Sequence, residues 1–425
     1  MPEFFRDLNG LAATTYVMIK IFLFIVSLMT LSVVSLFGQT NFTKIPNTPV
    51  VFRTMSFGEW DAIAVSDPHV LLINDTLKMW YTGVGWLSTS DTSIHQRIGL
   101  AWSMDGITWT QNANNPVLNH SPGSWDNLGV ETPCVLVDSL APPSLRYKMW
   151  YAGQNANNGV YDIGYAYSSD GINWDKHPGS VLQTGASNTW ENAYLEGPCV
   201  LLHDDTLRMW YASVDLIGDG QPTDFTGNIG YAWSLDGIFW NKHSDNPVFT
   251  SYSSGGWDLA SVADPHVIFH DGMYHMWYAG LNTWAEENFK MGYAFSADGI
   301  NWTRPITEPS LETGASGAWD EENASYGCAI FNPLSNQYEM WYTGIDANYP
   351  SSNLNDYYYE IGRAVSTSPL SAELIAEGSK KVLIYPNPAA ENVTLEGNAE
   401  ELRSILITNL AGQTVTPQTN ITRSS

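Results

Sequence analysis

Cysteine is nearly absent, with three residues in a chain of 425. That count excludes a dense disulfide framework, so a hydrophobic core must supply the stability. Basic residues are also scarce: Lys+Arg 18 stand against Asp+Glu 44, a formal net charge of −26. Such a surface repels nucleic acid and anionic membrane, and neither is expected as a partner. Charge of either sign is thin, at 15% of residues, which excludes a disordered acidic chain and indicates a soluble globular protein. The length allows two or three ordinary domains, or one large repeat fold with an appendage.

Long apolar runs are missing with one exception. "IFLFIVSLMTLSVVSLF" (21–37) follows Lys20 and precedes Gly38-Gln39. The order of basic, apolar and small residues fits a secretory signal peptide, which assigns residues 1–38 to a leader, with Met18 an alternative start. The run lies near the lower length for a membrane span, and export is the reading taken here. With no cysteine near the cleavage region, a lipoprotein is not expected.

What the chain has instead is repetition. A Trp followed by an acid opens five cassettes, at Trp60, Trp125, Trp190, Trp257 and Trp319. Each continues into a Met-Trp-Tyr run such as "KMWYTG" or "RMWYAS", then into "IGLAWSMDGITW" or a close variant, shortened to "IGRAVSTS" in the fifth. Short aromatic and β-branched segments broken by Asn/Asp/Gly turns are strand chemistry. Four strands per copy, five times, predict an all-β five-bladed β-propeller over residues 39–368. The first strand is expected to begin after the acid-Pro site. The fifth copy lacks its fourth strand, and "NTPVVF" (47–52) resembles the "NNPVLN" and "DNPVFT" that end other copies, so the N-terminus should close the ring. Fourteen of the 18 tryptophans sit at three recurring positions and read as packing between blades; Trp102 and Trp233 read as core as well. The expected assembly is a monomer.

Antiparallel strands put the connections between second and third strands on the same face as the acids that precede proline. Those connections are long (83–97, 213–228 and 344–359), whereas the opposite face carries tight turns such as "SMDGI". Long loops at one end of a rigid scaffold are where function concentrates. Trp86, Trp284 and Tyr357 to Tyr359 fall in this upper region, where an aromatic face can stack on a sugar ring or simply pack a loop.

The strand openings read Asp67-Pro, Glu131-Thr-Pro, Glu196-Gly-Pro, Asp264-Pro and an acid-free "SYGCAI". First strands line a propeller axis, so four carboxylates from four blades should meet in one funnel. Paired carboxylates are the equipment of glycoside hydrolysis. Crowding raises their pKa values and keeps one protonated near neutrality. The alternative role is to accept backbone N–H groups at strand starts.

These residues resemble the five-bladed propeller glycoside hydrolases of the clan that contains families 43 and 32, over about residues 40–368. The resemblance implies an inverting mechanism without a required cofactor. An Asp directly before Pro would be the general base, a second such Asp would tune pKa, and a Glu two residues before Pro would be the general acid. By local motif Glu196 in "LEGPCV" is the acid and Asp67 in "SDPHV" the base. By the order of blades, Asp264 is the base, Asp67 the modulator and Glu131 the acid, with Glu196 auxiliary. The Asn-Asp-Pro-Asn and Arg-Asp-Pro signatures of family 32 are absent.

Nine residues after each repeat Trp comes a second ring, His69, Cys134, Cys199, His266 and Cys328. It either fills a narrow channel, with the histidines near bound substrate, or holds an axial metal such as zinc. Residues 369–379 read as a linker. "YPNPAAENVTL" in residues 380–425 resembles the C-terminal sorting domain of the type IX secretion system, which implies a small β-sandwich-like domain, expected to be incomplete at its end. It makes that machinery a partner and predicts a secreted or cell-surface protein. The first expectation is therefore an exported glycoside hydrolase, and the second a glycan-binding propeller without catalysis. A sialidase fits less well, because the Ser-x-Asp-Gly-x-x-Trp turns only approximate its Asp-box. A phosphorolytic relative would need a basic phosphate site that the upper loops do not show.

Overall fold

The computed structural model describes residues 41–366, apart from 91–92, 157–158, 188, 217–224, 255, 284–287 and 347–357, together with five short strands further on. The expected leader lies outside the described residues. Gln39–Thr367 is one compact unit.

That unit is a five-bladed β-propeller. The first blade holds β2 (Ala64–Ile73), β3 (Thr76–Trp86), β4 (Ile94–Ser103) and β5 (Thr110–Gln111), each antiparallel to the next. The second holds β6 (Gly129–Val137), β7 (Tyr147–Gln154), β8 (Tyr161–Ser168) and β9 (Asp175–Lys176). The third repeats this with β10 (Tyr194–His203), β11 (Thr206–Leu216), β12 (Phe225–Ser234) and β13 (Asn241–Lys242). In the fourth, β14 (Ser261–His270), β15 (Met273–Leu281) and β16 (Lys290–Ser296) are followed by a single bridge at Thr303. The fifth contains β17 (Asn323–Asn332), β18 (Gln337–Ile345) and β19 (Tyr359–Ser366).

The ring closes through the N-terminus, at a different segment from the one expected. β1 (Phe42–Lys44) pairs with β19 as the outer strand of the fifth blade. Residues 47–52 contribute only the Val51↔Ile361 bridge, matching Leu118↔Ile98 after β5. The likeness of 47–52 to "NNPVLN" was thus a likeness to the segment that follows a fourth strand. The first strands also start earlier than predicted. Each runs through its acid, and a bulge between Ser66 and His69, and at the four equivalent places, accommodates the residue there, a proline in four of the five strands. Much of the expected upper loops is strand too, with β3 and β4 forming a hairpin up to Trp86 and Ile94.

One repeated device holds blade to blade, and two more brace each blade from within. The central Trp of Met-Trp-Tyr is fully buried, and its Nε1 donates to a turn glycine of the next blade: Trp80 to Gly171, Trp150 to Gly237, Trp210 to Gly299 and Trp341 to Gly106. A Cβ at Gly106, which has φ +71°, would stand 2.8 Å from Trp341, so sterics and backbone both require glycine. The turn is built by Ser103 and Asp105: Asp105 Oδ1 accepts the N–H of Ile107 and Thr108, and Ser103 Oγ accepts that of Gly106. This network recurs at Ser168, Ser234 and Ser296, a structural use of the Ser-x-Asp-Gly motif.

The acid of each Trp-acid pair is likewise structural. Asp126 meets Lys176 at 2.6 Å, Glu191 meets Lys242 at 2.7 Å, and Asp258 meets Arg304 at 3.3 Å. Tyr151, Tyr211 and Tyr278 donate their hydroxyls to the same acids. In the fifth blade the cation comes from the far end of the chain, as Lys44 pairs with the fully buried Asp320. One expectation fails: Trp102 and Trp233, at 38% and 39% exposure, are not core. Both sit on third strands, one residue past a fully buried alanine, where the strand alternation turns the side chain outward.

The C-terminal segment, expected from the sequence as a small β-sandwich-like sorting domain, contains five short strands. Its strands are β20 (Leu374–Ala376), inside the segment expected as linker, β21 (Lys380–Tyr385), β22 (Thr394–Glu396), β23 (Ile407–Thr408) and β24 (Thr414–Val415). β20, β21 and β22 make one antiparallel sheet, and β23 pairs with β24.

Lys44→Met should destabilise the full chain by about 3 kcal/mol or more, because it strands Asp320 in the interior. Lys290→Met, whose pair with Glu312 is more exposed, should cost under about 1 kcal/mol. Urea unfolding midpoints of the two variants check this.

Candidate functional site

The bulge in each inner strand positions the site. The residue before the proline adopts a left-handed conformation in four blades, with φ +52° at Asp67, +49° at Thr132, +53° at Gly197 and +50° at Asp264. Tyr326, at +48°, occupies the same place in the fifth blade, before Gly327. Four of the five are not glycine, and strain of that kind is found at functional sites. Three of the five bulge N–H groups are satisfied from the preceding blade: Asp67 donates to Thr343 Oγ1 and Thr132 to Thr82 Oγ1, both at 3.0 Å, and Gly197 to Thr132 Oγ1 at 3.3 Å. At Gly197 a Cβ would lie 3.2 Å from Asp264 Cα and 3.3 Å from its Oδ1, so blades three and four approach too closely for a side chain.

The four predicted acids therefore occupy two levels. Asp67 and Asp264 are bulge residues and, with Thr132, Gly197 and Tyr326, line a narrow axial channel. Glu131 and Glu196 are each one residue earlier on their strands. Glu196 and Asp264 border a larger cavity of about 190 Å³ spread across blades three to five, with Tyr194, Ser213, Asn323 and Tyr359 among its walls. Glu131 accepts a hydrogen bond from Tyr161, whose ring meets that of Tyr194 edge-on at 5.5 Å.

All four acids hold protons unusually tightly. Burial raises Asp67 to about 6, against hydrogen bonds from Thr82, Ser66 and the Thr132 backbone that favour its anion. Burial and the Asp67 charge raise Glu196 to about 7. Burial, then repulsion from Glu196 and Asp67, pushes Asp264 well above the usual range. Glu131 moves the same way through burial and repulsion from the other three. Such a group shares protons and titrates as a set.

The other predicted residues are distributed unevenly. His69 and His266 lie deeper in the axial channel. Each of the five ring side chains bonds the backbone of the next blade. His69 Nε2 is 2.9 Å from Val135 O and His266 Nε2 is 2.8 Å from Ala329 O. Cys134, Cys199 and Cys328 accept the N–H of Val200, Val267 and Val70, all at 3.1 Å, which closes the circle. His69, His266 and Cys328 bring donor atoms within 4.8 Å of one another, a spacing that suits a soft cation. Both Nε2 atoms and the sulfur are nonetheless engaged with backbone, as the channel-filling reading requires. Burial and the neighbouring His266 press His69 down to about 3, so it is neutral.

Trp86 packs on Phe57, with centroids 4.8 Å apart, and is not among the residues lining either cavity. Trp284 lies outside the described residues. Tyr358 sits under the Arg53 guanidinium at 3.7 Å, while Tyr359 walls the larger cavity. Sequence reasoning missed Tyr326, since "SYGCAI" has neither acid nor proline; its place in the repeat was the available signal. Ser213 and Asn323 carried no signal.

Residues 383–425 match the family model described as secretion system C-terminal sorting domain. An uncharacterized protein of Mycobacterium tuberculosis (strain CDC 1551 / Oshkosh) is 27% identical over 242 residues, 56% of this chain and 73% of that one. A 1,2-beta-oligomannan phosphorylase of Thermoanaerobacter sp. (strain X514) is 27% identical over 135 residues, 31% of this chain and 45% of that one. Among solved structures, a chain described as a glycoside hydrolase superposes with TM-score 0.59 at 19% identity, over 76% of this chain and 92% of that one. A structure described under the GH130 family of mannoside phosphorylases, said to contain glycoside hydrolases that target beta-1,2 mannosidic linkages in Candida mannan, gives 0.56 at 15%, over 76% and 93%. A thermostable family-43 glycoside hydrolase gives 0.51 at 15%, over 82% and 96%. The chain thus has the β-propeller fold seen in glycoside hydrolase structures, and its type IX sorting domain makes it a secreted or cell-surface protein.

Proposed function

We propose that the propeller hydrolyses glycosidic bonds by carboxylate acid–base catalysis. The observation that carries this reading is the group of four buried acids from four blades, each with raised proton affinity, beside a cavity open to one pair of them. Glu196 is the general acid: at about 7 it still holds a proton near neutrality and can give it to the leaving oxygen. Asp67, the lower of the two at about 6, is the base. It takes a proton from water as that water attacks the anomeric carbon, with inversion. The Asp67 charge and burial hold Glu196 above Asp67, which keeps the two apart in pKa.

Phosphorolysis is the competing chemistry, suggested by the name of one relative. It needs cations to seat phosphate. Neither cavity has a Lys or Arg among its described lining residues, which favours water as the nucleophile. β-1,2-Linked mannosides are the first substrates to try, because the names of two similar proteins carry them. Incubating the full chain with β-1,2-mannobiose, mannans, arabinans, xylans, fructans and algal glycans tests the reading. Free sugar released without phosphate supports it; release only as sugar phosphate, or none, overturns it.

The rate should peak between about pH 6 and 7, falling in acid as Asp67 protonates and in base as Glu196 loses its proton. Asp67→Asn and Glu196→Gln should each cost roughly 100-fold or more in kcat/KM. Glu131→Gln should cost under about tenfold; the reverse order would make Glu131 the acid.

Stability moves the other way. Asp67 and Glu196 have folded pKa values above their unfolded ones, so their contribution is present in acid and lost as pH rises through 6 to 7. Glu196→Gln should therefore raise Tm at pH 8 by about 2–5 °C and leave it unchanged at pH 4. Paired melting curves at the two pH values read this out.

A further inference from the structure

The larger cavity holds two polar side chains with nothing to bind. Ser213, on β11, is 1% exposed and Asn323, at the start of β17, is 6% exposed. The Ser213 hydroxyl oxygen and the Asn323 amide oxygen have no hydrogen-bond partner among the described residues. Both line the cavity that Glu196 and Asp264 border, one from blade three and the other from blade five. A buried polar atom left unpaired is costly, and such an orphan marks a place where a ligand or water can complete the bond. Other buried polar atoms also lack a partner, among them one carboxylate oxygen each of Asp126, Asp258 and Asp320. Ser213 and Asn323 supply the unpaired oxygens that line this cavity, beside the acids.

We propose that Ser213 and Asn323 are specificity-determining residues that hydrogen-bond the hydroxyls of one uncharged sugar residue held in this cavity. The inference rests on the carbohydrate reading above. About 190 Å³ takes about six waters, the room of a single sugar ring. Tyr194, Phe289 and Tyr359 give the cavity aromatic surface for the C–H face of that ring, and the two oxygens supply fixed polar points across it. The charge of the sugar follows from the walls. Glu196 and Asp264 face the space, no Lys or Arg is among its described lining residues, and the whole chain carries −26. A uronic acid or sulfated sugar would add an anion with no cation among the described lining residues to meet it. A neutral sugar donates hydroxyl protons to the oxygens and excludes nothing.

Saturation-transfer NMR on the full chain tests this with D-mannose, D-glucose, D-galactose and L-arabinose against D-glucuronate and D-galacturonate. At least one neutral sugar should bind and neither uronate should. Ser213→Ala and Asn323→Ala should each weaken the neutral sugar roughly tenfold or more with Tm unchanged. Ser213→Ala removes one hydroxyl from a strand interior and decides the matter if the Asn323 variant does not fold. Uronate binding equal to that of the neutral sugars, no neutral sugar binding, or full affinity in Ser213→Ala overturns the proposal. Glycan hydrolysis is measured in parallel. Hydrolysis that persists with unchanged KM in both variants defeats this assignment and leaves the hydrolase reading intact. Sugar binding lost in the variants, without hydrolysis in any form of the protein, does the opposite.

Discussion

The left-handed bulge in each inner strand is the constraint on which the rest depends. Five strands must pass the axis side by side, and a regular ladder would place a side chain at every level of a channel too narrow to hold them. Putting one residue per strand at φ near +50° breaks the ladder before the proline and turns Asp67, Thr132, Gly197, Asp264 and Tyr326 to the channel wall. Four of these carry a Cβ in a conformation that costs about 1–3 kcal/mol each. The cost is met locally by threonine hydroxyls that accept the freed N–H groups, and below them by the ring of His and Cys side chains, each bonded to the next blade. Strain, closure and the site are the same five residues and their neighbours.

Much of this was legible in the chain because repetition is visible without knowing the fold. Five Trp-acid and Met-Trp-Tyr registers give blade number, strand order and the shared face of the acids. Even the two levels of carboxylate are written out, as Asp-Pro in two copies and Glu-x-Pro in two others. Less legible was the division of labour among acids. Asp126, Glu191, Asp258 and Asp320 are as regular as the funnel acids, yet each is committed to a cation and a tyrosine, a partnership that spans some 20 to 280 positions of sequence. The cation two residues after Trp174, Trp240 and Trp302 is the trace it leaves. Closure was placed five residues late for a related reason: Phe42–Lys44 is too short to show a pattern, and its identity comes from pairing with Asp320 and β19. Trp86 could not be told from a sugar platform, because its partner Phe57 belongs to no repeat.

The two sets of acids show one residue type serving opposite ends. Four of those in the Trp-acid pairs are neutralised by cations, Asp61 is held by Thr54 and Gln111 instead, and all of them brace the fold. Those at the bulges have no cation and repel one another, a burden on stability that burial makes larger. A chain that needed only a rigid propeller would have replaced them by amides. Neither cavity has a Lys or Arg among its described lining residues to offset these acids.

The proposed catalysis depends on proton retention by that cluster. Its most direct measurement is a carbon-13 NMR titration of the full chain labelled at Asp and Glu carboxyl carbons, with Asp67→Asn and Glu196→Gln for assignment. We expect the Asp67 and Glu196 carboxyls to titrate near 6 and 7, with Asp67→Asn lowering the Glu196 midpoint. Midpoints near 4 for all four acids, unmoved by either substitution, would mean that they neither share charge nor hold a proton for catalysis, and would contradict the account.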